Sequence, residues 1–555
     1  MSYREVFSLR SIRASCRLMV VMGSRWDERN FLQARYHDSI QAQRLTIHMI
    51  GQSRIAQLLL WISLCVVVGS YICLPVSDPD LWWHIVVGRW IVAHQNVPGI
   101  DYWNMFSDGS PWRAYSWTSE IVLALVDRFW GGKGLIIAQL VLGIGLVGAL
   151  QVVCGRLARD YFIGALVGTY AGAACFNNFT LRPQVLVWVF FAVSIMLADD
   201  ISEKGADKKR IGLLALMGAL WANTHLTAAL GLVSIFLWSF QNSKGDINVR
   251  SSLIASLAFF IGSLVTPYLG GEWLTLFSAG GHPLKYSSIS EFQPANIMQF
   301  SSVFVLLIVF LLLVVSYTTR VLPTVGRGVV VGGMLLAGLT AVKFLPFAAI
   351  AWCELFSVWW RESGGVNQDR THDNFAEGLV VAKGRLMGLS AQTGLAIVFV
   401  MASISIVNVV SLIRNPISPS VPKTSLDFFE RHNLPHPLLN EFGAGGYVMY
   451  RFTDDSGSPR HKVAIDGRTN VNPPEIWNMY RASLSGRRNW GDFIDKVGAQ
   501  TILWRQGSPL VSLLLLSPDW CQVFSAGSGD EDLTLFIRRE VFQSRVGEFT
   551  SSDCP

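Results

Sequence analysis

Seven apolar runs of near-membrane length fix the class of this chain. They begin at Arg54, Gly134, Tyr161, Pro183, Ser251, Phe300 and Leu389, and each approaches the ~20 residues that a helix needs to cross a bilayer. Two further apolar stretches, Ile211 to Phe240 and Gly328 to Trp360, are each cut by a polar break, Asn223-Thr224-His225 in one and Lys343 in the other. Each is either one long tilted helix or two short ones; counted as pairs, they bring the total to roughly eleven spans. Charged residues make up 15% of the chain, against about 25% in soluble domains, and mean hydropathy is +0.38. The expected class is an α-helical polytopic membrane protein.

Loop charge sets the expected orientation. Residues 1–53 carry many arginines and few acids, so the positive-inside rule puts them in the cytoplasm, together with the basic loops at Arg156 to Arg159 and Lys208 to Arg210 and the long charged loop at Trp359 to Arg385. The net charge of +6 sits largely in that N-terminal tail and reports topology, not nucleic-acid binding. The tail shows no signal-peptide pattern, because its basic region is followed by only a short apolar patch, Leu18 to Met22. It is either a disordered tail or an extension ahead of a true start at Met49. The spans occupy 54–414. On the opposite, extracytoplasmic face lie the first outer loop, 77–133, the segment Tyr268 to Gln299, and a C-terminal region, 415–555, whose composition is that of a small α/β domain. Strands are expected at Tyr447 to Phe452, Lys462 to Asp466, Thr501 to Trp504, Gln522 to Ala526 and Leu533 to Arg538. Helices are expected near Pro474 to Leu484, Trp490 to Val497 and Pro509 to Leu516. Of eight cysteines, only Cys521 and Cys554 fall in this region, which allows one disulfide, and no ligand spacing supports a zinc site.

The first outer loop, at about 55 residues, is far longer than an ordinary connection, which marks it as functional. It opens with Ser77-Asp78-Pro79-Asp80-Leu81-Trp82-Trp83-His84. Carboxylates at a membrane interface are costly unless paired or used. Asp78 precedes a proline and is held extended, whereas Asp80 sits near a helix N-terminus, where the dipole favours an ionised carboxylate. The pair is either a general base with a metal-anchoring neighbour or a helix cap with a solvated neighbour. Leu81 to His94, with His84 and Arg89 among apolar residues at helical spacing, and Ser119 to Trp130 suit helices lying along the interface. The stretch from Gln95 to Thr118, rich in Pro, Gly, Asp and Trp, reads as a loop.

Other polar groups stand at the same outer face. Arg182, in Arg182-Pro183-Gln184, suits an anionic phosphate and equally suits interface snorkelling. His225 lies in a break where irregular backbone must be buried or face water, and a lone histidine is more often a packing partner than a catalyst. Lys343, between two apolar runs, requires a partner such as a lipid phosphate or an exit to the interface. Glu291 is a second carboxylate over the cavity or an ordinary loop acid. Asp466-Gly467-Arg468 is a binding turn or one supported by its own aspartate–arginine pair.

In this order the motifs resemble the bacterial branch of the C-type (GT-C) glycosyltransferase superfamily. The resemblance rests on DPDLWWHIVVGRW at Asp78 to Trp90, RPQ at Arg182 to Gln184, WANTHLTAALG at Trp221 to Gly231, TPYLGGEWL at Thr266 to Leu274, ISEFQP at Ile289 to Pro294, KFLPFAAIA at Lys343 to Ala351, and GGYVMYR and AIDGRTNV in the tail. It implies a GT-C-like fold in the bacterial cytoplasmic membrane and transfer of a hexosyl or pentosyl group from a polyprenyl-phosphate-linked donor to a glycan, lipid or protein acceptor. One of Asp78 and Asp80 is then the base, or the pair holds a divalent cation such as Mg or Mn. His84, Arg182, His225, Glu291 and Lys343 contact substrate, and the cations stabilise the departing lipid phosphate. Two positions depart from the pattern: the segment usually like WANLHG reads WANTHLT, and Lys343 stands where an arginine is usual, offering charge without a bidentate fork. Two other classes remain open. A transporter or flippase for lipid-linked sugars also needs many spans and polar cavity groups, although internal symmetry between halves is not visible. A non-catalytic scaffold for envelope polysaccharide assembly would act through its tail.

Overall fold

The structure is a computed structural model and describes residues 58–279, 289–363, 391–527, 532–545, 549 and 554. The tail expected over 1–53 lies outside the described residues. In chain order the helices are α1 (Leu58–Tyr71), α2 (Pro79–His94), α3 (Trp117–Ala158), α4 (Tyr161–Ala174), α5 (Gln184–Lys204), α6 (Lys208–Ala222), α7 (Ala228–Ser239), α8 (Val249–Ser263), α9 (Gly271–Ala279), α10 (Phe300–Thr319), α11 (Val325–Thr340), α12 (Leu345–Glu362) and α13 (Ala391–Arg414). Among the described residues, five helical segments are long and apolar enough to cross a membrane: α3, α5, α10, Val342–Glu362 and Ala396–Arg414. Five more, α1, α4, α7, α8 and α11, are shorter and apolar.

Both interrupted stretches fold as helix pairs. Asn223 follows the last residue of α6, and its side chain donates to Ala219 O and Val265 O, 2.7 Å each, while accepting from Trp117 Nε1 at 2.7 Å. These bonds supply partners for backbone that a helix end leaves open. At the second break a single 3-10 turn, Val342–Phe344, joins α11 to α12, and Pro346 sits in the first turn of α12, where its missing N–H costs nothing.

The first outer loop differs from the expectation in one respect. Helix α2 does not lie exposed along an interface. Leu81 to Gly88, Trp90 and Ile91 are all buried, because α2 is enclosed between α3 and the C-terminal region. The second expected helix is the start of α3, set off from the span by Gly131, whose φ of 55° and ψ of −147° break the helix. Only glycine adopts that backbone without strain. The connecting loop is also not a solvated one: Trp103, Asp101 and Asn104 are fully enclosed.

The C-terminal region continues with α14 (Lys423–Arg431), β1 (Leu438–Asn440), α15 (Gly445–Arg451), α16 (Pro474–Leu484), α17 (Asp492–Val497), β2 (Thr501–Arg505), α18 (Pro509–Leu516), β3 (Trp520–Ser525), β4 (Leu533–Arg538) and α19 (Arg539–Ser544). Its sheet has the order β1-β2-β4-β3, with β1 parallel to β2 and the other pairs antiparallel. Two expected strands are absent. Residues 447–452 belong to α15 and the turn after it, and this segment packs tightly on the start of α2, where a Cβ on Gly446 would stand 2.1 Å from Pro79 O. Residues 462–466 direct their backbone bonds to the outer loop and to Asn440: Val463 N donates to Trp103 O at 2.9 Å, Val463 O accepts from Met105 N at 3.0 Å, and Ala464 N donates to Asn440 Oδ1 at 3.1 Å. Cys521 and Cys554 form a disulfide.

Candidate active site

The site begins with the cap of α2. Asp78 is the N-cap, with φ −66° and ψ 122°, and its Oδ1 accepts from Asp80 N at 2.8 Å; Pro79 fills the first helical position. Asp80 therefore emerges from the first turn, where its Oδ1 accepts from Trp83 Nε1 at 3.1 Å. Its other oxygen accepts from Arg182, which stands in the turn leading into α5. The same guanidinium donates to Glu291 Oε1 and lies 3.6 Å from Asp78 Oδ2. One arginine thus gathers three carboxylates from two segments, 102 positions before it and 109 after it. Beside them Lys343 Nζ lies 3.5 Å from the centre of the Phe292 ring, and His225 Nδ1 lies 3.1 Å from Thr227 Oγ1.

Electrostatics follow from that count. Three carboxylates around one guanidinium leave excess negative charge in a water-poor place, which is unfavourable unless one of them takes a proton. Burial pushes the Asp80 carboxyl up to about 7; Arg182 works against the shift, and Asp78 and Glu291 add to it. Glu291 goes the other way: burial raises it, but Arg182, with Lys343 and His225 adding, holds it below the usual glutamate range. Burial, with Arg182 and the neighbouring His225 adding, keeps His84 neutral well below its usual range. His225 is brought down to about 3 by burial, with Lys343 and then Arg182 acting in the same direction. The site thus presents one carboxyl poised near neutral pH, the neutral imidazole of His225 and two cations, with the neutral His84 behind it.

The structure brings Asp78, Asp80, Arg182 and Glu291 into one cluster, with Lys343 and His225 at its edge. His84 is turned elsewhere: its Nδ1 lies 3.0 Å from Glu120 Oε1, and its ring stacks on Trp83 at 3.6 Å. The fit of Asp78 and Asp80 to a divalent ion can be judged from their oxygens. Those oxygens are engaged by Arg182, Trp83 and the Asp80 N–H. Among the described residues no three His, Cys, Asp or Glu side chains are grouped to hold a metal. An ion at this place has to displace the guanidinium, and no step below is routed through one.

Sequence reasoning did not place the tail against this cluster. A Cβ on Gly467 would stand 1.8 Å from Asp80 Oδ1, so the bare backbone of the Asp466-Gly467-Arg468 turn forms the wall that Asp80 rests on. The turn is fixed by Arg468, 1% exposed, which donates to Asp466 Oδ1 and Oδ2 at 2.8 and 2.9 Å and to Asp101 Oδ1 at 2.7 Å. Trp112 and Trp103 cover its guanidinium at 5.0 and 5.4 Å. Asn104 Nδ2 completes the seam, donating to Asn472 Oδ1 at 2.9 Å. A second seam joins Arg89, Asp127 and Tyr450, with Arg89 Nη2 2.7 Å from Asp127 Oδ2. The signal for these contacts was the density of Asp, Asn and Trp in the 95–118 loop, residue types that a merely solvated loop does not need.

A methyl group at Gly467 has one outlet, displacement of the Asp80 carboxylate from Trp83. Gly467→Ala is therefore expected to reduce turnover about a hundredfold with the tail still folded. Activity falling in step with melting temperature would contradict this.

No protein-family model and no curated protein matches the chain. Among solved structures, it is similar to two crystal structures of an oligosaccharyltransferase from Archaeoglobus fulgidus. The apo form aligns with a TM-score of 0.45 at 9% identity. The form tethered by a disulfide to an acceptor peptide containing the NVT sequon aligns with 0.44 at 8%. Each alignment covers 82% of this chain and 69% of the other. A likeness of this size carries no argument about activity.

Proposed function

We propose that this chain is a membrane-embedded glycosyltransferase of GT-C type, moving a hexosyl or pentosyl group from a polyprenyl-phosphate-linked donor to an envelope glycan, lipid or protein. The observation that carries the reading is the partly buried cluster of Asp78, Asp80 and Glu291 around Arg182, at one end of α5 and against the tail. The far end of α5 meets the basic loops. Its 21 residues span about 30 Å, the thickness of a bilayer core. Loop charge supports the reading that the cluster faces the extracytoplasmic side of the cytoplasmic membrane.

The chemistry asks for a base, a cation and exclusion of water. Deprotonated Asp80 takes the acceptor's proton as the acceptor oxygen bonds to the anomeric carbon. The bond from that carbon to the phosphate oxygen breaks, and the polyprenyl phosphate leaves with the electron pair. Arg182 and Lys343 are the cations within reach of the developing phosphate charge. Arg182 changes partners in this account, loosening from the carboxylates as the donor phosphate arrives.

The test is purified full-length protein in vesicles containing a polyprenyl-phosphate-linked sugar, with an envelope extract as acceptor and donor loss followed by mass spectrometry. Donor consumption that needs both protein and acceptor supports the reading, and none with any hexosyl or pentosyl donor overturns it. Because the base form of Asp80 is required, the rate is expected to fall as pH drops through about 7. Glu291→Gln removes a charge that raises Asp80, so the acidic limb moves to lower pH; Arg182→Gln removes the charge that lowers it, so what activity remains has its limb at higher pH. Limbs that stay fixed in both variants would exclude Asp80 as the titrating group.

A further inference from the structure

We propose that the chain carries a second ligand site at the end of α5 remote from Asp80, and that it holds the phosphate headgroup of an anionic membrane lipid with an acyl chain running up the α5–α6 face. The site is a cavity of about 440 Å³ between the end of α3, the second half of α5 and the start of α6. Its lining has two chemically distinct parts, one of charged residues at the helix ends and one apolar wall nearer the middle of the membrane.

The charged part is cationic after internal pairing. Its acids are all engaged: Asp199 by Arg327 and Arg361, Asp200 by Lys204, Glu203 by Arg327, and Asp207 by Arg210. Three cations of the lining, Arg156, Arg159 and Lys209, have no acidic partner among the described residues. The floor beneath them is cross-linked by ion pairs. Arg327 is fully buried and bonds Glu362 at 2.6 Å and Asp199 at 3.0 Å, and Arg361 bonds Asp199 at 2.6 Å, which ties α5, α11 and α12 together. Side chains already paired in this way lower the ordering cost of binding.

The apolar wall decides between a lipid and a soluble anion. Val193, Met196, Leu213 and Met217 line the same cavity, and Val193 lies 11 residues before Lys204, about 16 Å along the helix. A free phosphate leaves that wall uncovered, whereas a phospholipid places its phosphate among the cations and its glycerol and first methylenes on the wall. Basic pockets between helices at the cytoplasmic leaflet are suited to anionic headgroups, and loop charge puts this end of α5 on the cytoplasmic side.

The experiment uses full-length protein equilibrated with equal phosphatidylglycerol and phosphatidylethanolamine, with retained lipid counted by native mass spectrometry. One phosphatidylglycerol is expected to be held in preference, and Arg156→Glu/Lys209→Glu is expected to weaken retention about thirtyfold. The charge-matched Arg487→Glu/Arg488→Glu pair in the tail leaves it unchanged, and the milder Arg156→Gln/Lys209→Gln gives an intermediate loss. Equal retention of the two lipids, retention unaltered by Arg156→Glu/Lys209→Glu, or displacement of the lipid by millimolar inorganic phosphate would each overturn the proposal.

Discussion

Asp80→Asn is expected to lower sugar transfer about a thousandfold, within the range that loss of a general base produces, while melting temperature and vesicle insertion stay as in the parent. The amide matches the carboxylate in shape, so Oδ1 continues to accept from Trp83 Nε1, a bond of 3.1 Å in the parent. What disappears is the proton acceptor, the bond that Arg182 donates to Oδ2, and one of the three charges facing Arg182. Asp78→Asn separates the two aspartates. Asn caps a helix as well as Asp does, and Asp78 acts here as the cap, so this variant is expected to lose no more than about tenfold. The reverse order of effects, measured as donor consumption at pH above the Asp80 limb, would transfer the base role to Asp78.

The second large effect concerns the seam that holds the tail. Arg468→Ala leaves Asp466 and Asp101, both fully buried, without their cation. Breaking a buried ion pair from one side costs about 3–5 kcal/mol. For a unit of this size that lowers the unfolding temperature of the outer region by roughly 10 °C. Proteolysis should then cut the 95–118 loop and the tail at temperatures where the parent resists. Arg468→Lys retains the charge but not the fork that spans Asp466 and Asp101, so it should recover only part of the loss. Unaltered melting in Arg468→Ala would mean that the tail is held mainly by the Arg89, Asp127 and Tyr450 seam and by apolar packing.

Much of the local structure was legible in the sequence because local rules decide it. Pro474 and Pro509 start helices that end where the apolar spacing ends, and the Leu533–Arg538 strand follows from its β-branched and aromatic residues. The break at Gly131 falls between the expected outer helix and the expected span. Long-range packing was not legible. GGYVMYR has a strand's composition, yet it is a helix, packed by Gly445 and Gly446 within contact of Ile465 O and Pro79 O. Helix α2 has an interfacial pattern but is covered on both sides, and nothing local announces that cover. At the site, Asp78 and Asp80 stood out because carboxylates at a membrane interface need partners, whereas Arg182 fitted snorkelling and Glu291 an ordinary loop acid equally well. Their mutual pairing joins residues 102 and 109 positions apart, which no periodicity encodes. Glu120 and Asp101 were missed for the same reason, since each acts through a contact made by another segment, and the turn at Gly467 was noticed without its contact to Asp80.

The most direct measurement is the mass profile of envelope glycans and glycolipids in a deletion strain carrying either the parent chain or Asp80→Asn at matched membrane levels. The account predicts that a species heavier by one hexosyl or pentosyl unit returns with the parent chain and not with Asp80→Asn. Full restoration of that species by Asp80→Asn, or profiles that do not differ between the deletion strain and its parent, would contradict it.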